Sequence, residues 1–97
     1  MNVCISIGNS DDKLSQRRWS EFVAAVRYAV YKAGKSEGAQ IHGEYFSLPT
    51  SPWQNACWWL QLTDPLDVNA LRISLGQLRE EFEQTSIAWL AGGTEFL

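Results

Sequence analysis

The chain has 97 residues, 45% hydrophobic and 12% aromatic, with a formal net charge of −3. That is one domain's length, residues 1–97, with apolar residues spread too evenly for a disordered chain. No apolar run is long enough for a membrane span, and the acidic balance disfavours nucleic acid, whose binders present a basic face.

The opening MNVCISIGN lacks a basic region and reaches Gly8-Asn9 too early for a signal peptide, so a cytoplasmic location is expected. Residues 3–7 alternate apolar with smaller or polar side chains, the period of a strand. A helix should follow, with Ser15 as N-cap and Leu14 and Trp19 as a hydrophobic staple. Trp19, Phe22, Val23, Val26, Val30 and Ala33 form one apolar stripe along it, and Gly34 is placed to end it in a left-handed conformation.

Residues 39–48, AQIHGEYFSL, read as a second strand. Strict alternation puts Ile41, Gly43 and Tyr45 on one face and Gln40, His42, Glu44 and Phe46 on the other, with Gly43 a candidate bulge. Residues 49–52 are a turn, and 55–62 a third strand with Ala56, Trp58, Leu60 and Leu62 on one face. Asp64-Pro65 starts a second helix, with Asp67 in its first turn and Leu71, Leu75, Leu78 and Phe82 as its buried stripe. Arg79 and Glu83 stand one turn apart on the wet side, and Gly76 offers close packing between the helices. Residues 87–91 are a fourth strand, interrupted by Gly92-Gly93. Residues 94–97 then continue it past a bulge or fold over an edge.

The order βαββαβ implies an α+β ferredoxin-like sandwich: a four-stranded antiparallel sheet, order 4-1-3-2, with both helices on one face. This topology brings three polar segments to one end: 8–12, 49–55 and 83–86. Asn9, Ser10, Asp11, Asp12, Trp53, Gln54 and Asn55 are the candidate partner-binding residues there. Free backbone N–H groups at the first helix's start could take an anion, against which Asp11 and Asp12 argue. A divalent cation on those aspartates competes with a simpler reading, a solvated turn and helix cap.

The other face of the sheet carries no helix. It should show Cys4, Ser6, His42, Phe46, Cys57, Trp59, Ala88 and Leu90, which is apolar enough to bury against a second copy. Phe46, Trp59 and Leu90 are the candidate interface residues. Two cysteines and one histidine cannot complete a four-ligand zinc site, so no metal and no cofactor is expected. His42 with a cysteine could form a thiol–imidazole pair, but neither cysteine sits at a helix N-terminus or a nucleophile turn.

The stretches SIGNSDDKLSQRRWSEF, PWQNACWW and SIAWLAGGTEFL resemble those of small uncharacterised proteins encoded by phages of actinobacteria. The resemblance implies expression in an infected bacterial cell and carries no activity or site residue with it. The expectation is a non-enzymatic binding protein, dimeric or larger. It would engage a host protein or a small ligand, such as a nucleotide, through the polar end of the sheet. The alternatives are a small enzyme or metal-dependent protein using Asp11 and Asp12, and an assembly protein acting through the open sheet face.

Overall fold

The computed structural model describes residues 1–9 and 13–97. The elements are β1 (Asn2–Gly8), α1 (Gln16–Ala33), β2 (Gln40–Phe46), β3 (Asn55–Gln61), α2 (Pro65–Glu81) and β4 (Ala88–Gly92). The sheet order is β2-β3-β1-β4 with every neighbouring pair antiparallel, which is the expected 4-1-3-2 seen from the other edge.

Both central strands follow their sequence alternation. Val3, Ile5 and Ile7 of β1 and Ala56, Trp58 and Leu60 of β3 are buried on the helix side. They meet Trp19, Phe22, Val26 and Val30 of α1 and Leu71 and Leu75 of α2, with Phe82 just beyond. Phe22 and Phe82 join the two helices, ring centroids 4.9 Å apart. Burial of such side chains stabilises the fold by about 1.5–3 kcal/mol each, so this stripe decides how the helices lie.

The helix starts are as local chemistry dictates. Ser15 Oγ accepts from the Arg18 N–H at 3.2 Å, and Leu14 and Trp19 are both buried as a staple requires. Asp64 Oδ1 accepts from the Leu66 N–H at 2.9 Å, with Pro65 opening the helix.

The helix ends differ from expectation. Gly34 has φ −69° and is not left-handed. Its glycine is steric instead: a Cβ there would lie 2.7 Å from Ile41 Cδ1. The left-handed residue after α1 is Gly38, φ +81°. At the end of α2 the Gln84 N–H reaches the Arg79 carbonyl (2.8 Å) and the Glu83 N–H that of Glu80 (3.1 Å). That is a Schellman closure, with Glu83 at φ 53° where glycine is usual. Glu83 is thereby turned out of the helical ladder, and Arg79 pairs with Glu80 (3.6 Å) instead. Gly76 has nothing within 4 Å of a built Cβ, so it does not serve close helix packing.

The main departure is in β2. Its pairing with β3 slips between Ile41 and Gly43, so Ile41 faces Leu60 but Gly43 faces Trp59, Glu44 faces Trp58 and Phe46 faces Ala56. The extra residue at the bulge reverses the alternation beyond it. Glu44 and Phe46 therefore point to the helix side and Tyr45 to the open side, the opposite of strict alternation. Phe46 stands edge-on to Trp58 at 5.8 Å and is not on the open face, where it was expected as an interface residue.

After β4 the chain turns toward the open face at the start of β1, where Gly93 and Thr94 line a cavity of about 380 Å³ with Cys4, Trp59 and Leu90. The Asn2 side-chain amide donates to Thr94 Oγ1, while Phe96 and Leu97 are exposed and cover nothing.

Candidate functional site

The polar end of the sheet is built on carboxamides. Asn9 follows β1 and Gln54 precedes β3, and the two are tied through the backbone by Asn9 N–H to the Gln54 carbonyl at 2.8 Å. Both side chains are buried, Asn9 at 2% exposure and Gln54 at 5%. Asn9 Nδ2 donates to the Leu14 carbonyl (3.0 Å) and to Gln54 Oε1 (3.1 Å), and Asn9 Oδ1 accepts from the Leu14 N–H (3.0 Å). Gln54 then exchanges a reciprocal pair with Gln16 on the first turn of α1. Gln54 Nε2 donates to Gln16 Oε1 at 2.7 Å, and Gln16 Nε2 to Gln54 Oε1 at 3.1 Å. This satisfies buried amides that would otherwise cost about 1–3 kcal/mol each. Asn9 and Gln54 thus hold the end of β1, the start of β3 and the entry to α1 together.

The other candidates part company with them. Trp53 is 69% exposed at the tip of the β2–β3 connection, where its N–H and carbonyl both bond to Ser51 Oγ at 3.3 Å. Asn55 is exposed, its side chain donating to the Trp53 carbonyl at 3.1 Å and its N–H to Ser47 Oγ at 2.9 Å. Ser10, Asp11 and Asp12 lie outside the described residues.

Beside the carboxamides a groove of about 470 Å³ opens between α1 and the β2 edge of the sheet. Its apolar wall is made by Trp19, Val23, Phe46 and Pro49, with the Gln16–Gln54 pair along its margin. That is within the range of small-ligand sites, about 300–1,000 Å³. The matching groove between α2 and β4, lined by Arg72, Gly76 and Trp89 among others, is about 180 Å³.

Arg27, which also lines the α1–β2 groove, is fixed by the bulge. Its guanidinium makes a two-pronged contact with Glu44, Nε to Oε1 at 3.0 Å and Nη2 to Oε2 at 3.2 Å. Tyr31 OH donates to the same carboxylate (3.0 Å), and so does the indole N–H of fully buried Trp58 (3.0 Å). Glu44 is exposed as a residue of an edge strand, yet its side chain is only 22% exposed. The Arg27 hydrogen bond above all, with those of Tyr31 and Trp58, outweighs burial and holds its carboxyl below the ordinary 4.5.

The histidine and the cysteines lie on the open face. His42 packs tilted on Trp59, ring centroids 4.9 Å apart, whereas Cys57 is opposite Tyr45 and Ser6. The Cys57 thiol is pushed up by burial and then by nearby Cys4, the reverse of an activated nucleophile. Among the described residues no three histidine, cysteine or carboxylate side chains group as metal ligands. No helix of the described residues is long and apolar enough to cross a membrane.

No family model and no curated protein matches the sequence. Among solved structures the chain is similar to the C-terminal domain of the MgtC protein from Mycobacterium tuberculosis, with a TM-score of 0.53 and 12% identity. The similarity covers 94% of this chain and 86% of that one. The fold is ferredoxin-like. At that identity the likeness carries the architecture alone.

Sequence reasoning missed Gln16 and the Arg27–Glu44 pair. Gln16 carries no local signal beyond being an ordinary residue at a helix start. Glu44 could have been found by asking where the indole N–H of a core tryptophan finds its acceptor.

Proposed function

We propose that this chain is a non-enzymatic binding protein, working as a dimer or higher oligomer, that holds its partner in the groove between α1 and β2. The observation that carries the reading is the groove itself. It has an apolar wall on rigid elements, bordered by a carboxamide pair whose exposed member, Gln16, has hydrogen-bonding capacity to spare. The polar end of the sheet still matters, in a changed role: Asn9 and Gln54 brace the groove from behind, and Trp53 stands exposed on the connection that forms its rim. The occupant is a small, mostly apolar ligand with an amide-like or heteroaromatic edge, or the equivalent side chain of a host protein. The likeness to actinobacterial phage proteins makes an infected cell the setting.

An NMR titration of the amide spectrum with aromatic and nucleotide fragments tests this. Shifts clustering on Ser20, Val23, Phe46 and Ser47, and lost in Ala24→Trp, support the groove. Shifts that scatter over the surface, or that survive Ala24→Trp, sink it.

A further inference from the structure

Only one charged residue, Glu44, lies in the four strands, and the bulge turns it toward the helices. With His42 counted as neutral, the open face of the strands therefore carries no charged side chain, in a chain of net charge −3. On that face Tyr45 is 55% exposed, Trp59 53% and Leu90 73%. Contiguous exposed apolar patches mark interaction sites, and interface centres are depleted of charge.

The register shows what shape this face has. Reading across the sheet from β2 to β4, one row is Gly43, Trp59, Cys4, Leu90. The adjacent row is Tyr45, Cys57, Ser6, Ala88. In the β3 and β4 columns a large residue in one row neighbours a small one in the other, while in the β2 column the bulge sets His42, 4.9 Å from Trp59, beside Gly43. The fourth column, Cys4 and Ser6, is small in both.

We propose that a second copy of this chain packs on the open face about a two-fold axis running across the strands between these two rows. Such an axis turns one sheet onto the other and exchanges the rows. Trp59 then sits over the partner copy's Cys57 and Leu90 over its Ala88, each large side chain meeting a small one, and Tyr45 lies over its Gly43 beside its His42. Cys4 meets Ser6 at the centre, where both are small. Two sheets so joined lie about 10 Å apart, with side chains interdigitating. The contact is the same patch on both copies, as a closed dimer requires. An uncharged face gives an acidic peptide or a nucleic acid nothing to pair with, and it spares two acidic copies from repulsion at the contact. This rests on the oligomeric reading above and is independent of the groove, which opens on the other side of the sheet.

Sedimentation velocity on the full chain over a range of concentrations is the first test, with a reversible dimer expected. A protein still monomeric at millimolar concentration overturns the proposal. The second test reads the packing. Ala88→Leu sets leucine against leucine and should weaken the dimer about tenfold or more. Ala88→Leu combined with Leu90→Ala exchanges the two sizes within their column and should restore it. Both sites are exposed, and thermal melts check that the variants stay folded. If the single and double variants associate alike, the face does not pack as described. A dimer lost in Ala24→Trp but kept in Ala88→Leu places the contact in the groove and refutes the proposal.

Discussion

Replacing Asn9 with alanine separates a bracing role from a ligand-contacting one. The change removes two donated bonds and one accepted bond at a position only 2% exposed. Gln54 Oε1 keeps its bond from Gln16, but the Leu14 N–H and carbonyl both lose their side-chain partner next to a buried leucine. Two stranded backbone groups at roughly 1–3 kcal/mol each make a loss of about 4 kcal/mol the central expectation. For a domain of this size that lowers the melting temperature by about 16–32 °C. Urea denaturation followed by circular dichroism, with a thermal melt alongside, measures it. The same substitution at exposed Asn55 removes one surface bond and should cost only a fraction of that. An Asn9→Ala loss below about 1 kcal/mol, or equal losses at the two sites, would mean that water readily replaces the carboxamide. The description of Asn9 as a brace would then be wrong.

Gly76→Ala should raise stability by about 1 kcal/mol, since the new methyl meets nothing and the helix interior gains a better former. A destabilised variant in the same denaturation assay would contradict the open space around Gly76. Glu83→Gly should also stabilise, by about 1 kcal/mol, because φ 53° suits glycine and not glutamate. No gain would mean that the glutamate side chain contributes as much as its backbone costs. The Arg27–Glu44 pair gives a pH dependence of defined sign. A carboxyl held below 4.5 in the folded state stabilises fully above its unfolded value and loses that contribution as pH falls through the folded one. Melting temperatures should therefore fall on acidification below about 4.5 in the wild type, and less steeply in Glu44→Gln. Parallel acid limbs in the two proteins would rule out Glu44 as a contributor. Cys57 should react with a thiol reagent more slowly than an unfolded cysteine at neutral pH, and equal rates would contradict its burial.

Much of this molecule could be read along the chain because it depends on neighbours within a turn or on simple alternation. Ser15, Asp64 and Pro65 cap their helices through atoms two or three residues away. The apolar period placed Trp58, Leu60, Phe22, Val26 and Leu71 in the core, and the order of elements then favoured this sheet topology over a swapped or barrel-like one. The candidate site was legible in position and not in role. Asn9 and Gln54 lie at the end of the sheet where the order of elements puts them, but their side chains bond across 45 residues of sequence, and such a bond leaves no periodic mark. Tertiary packing alone decided the face of β2. One unpaired residue near Gly43 reverses the alternation, sending Glu44 inward to Arg27 and Trp58 and removing the only charge the open face would have had. It also carries Phe46 from the expected interface into the groove. A strand's alternation holds only while its pairing is regular, and whether a glycine breaks that pairing depends on the partner strand.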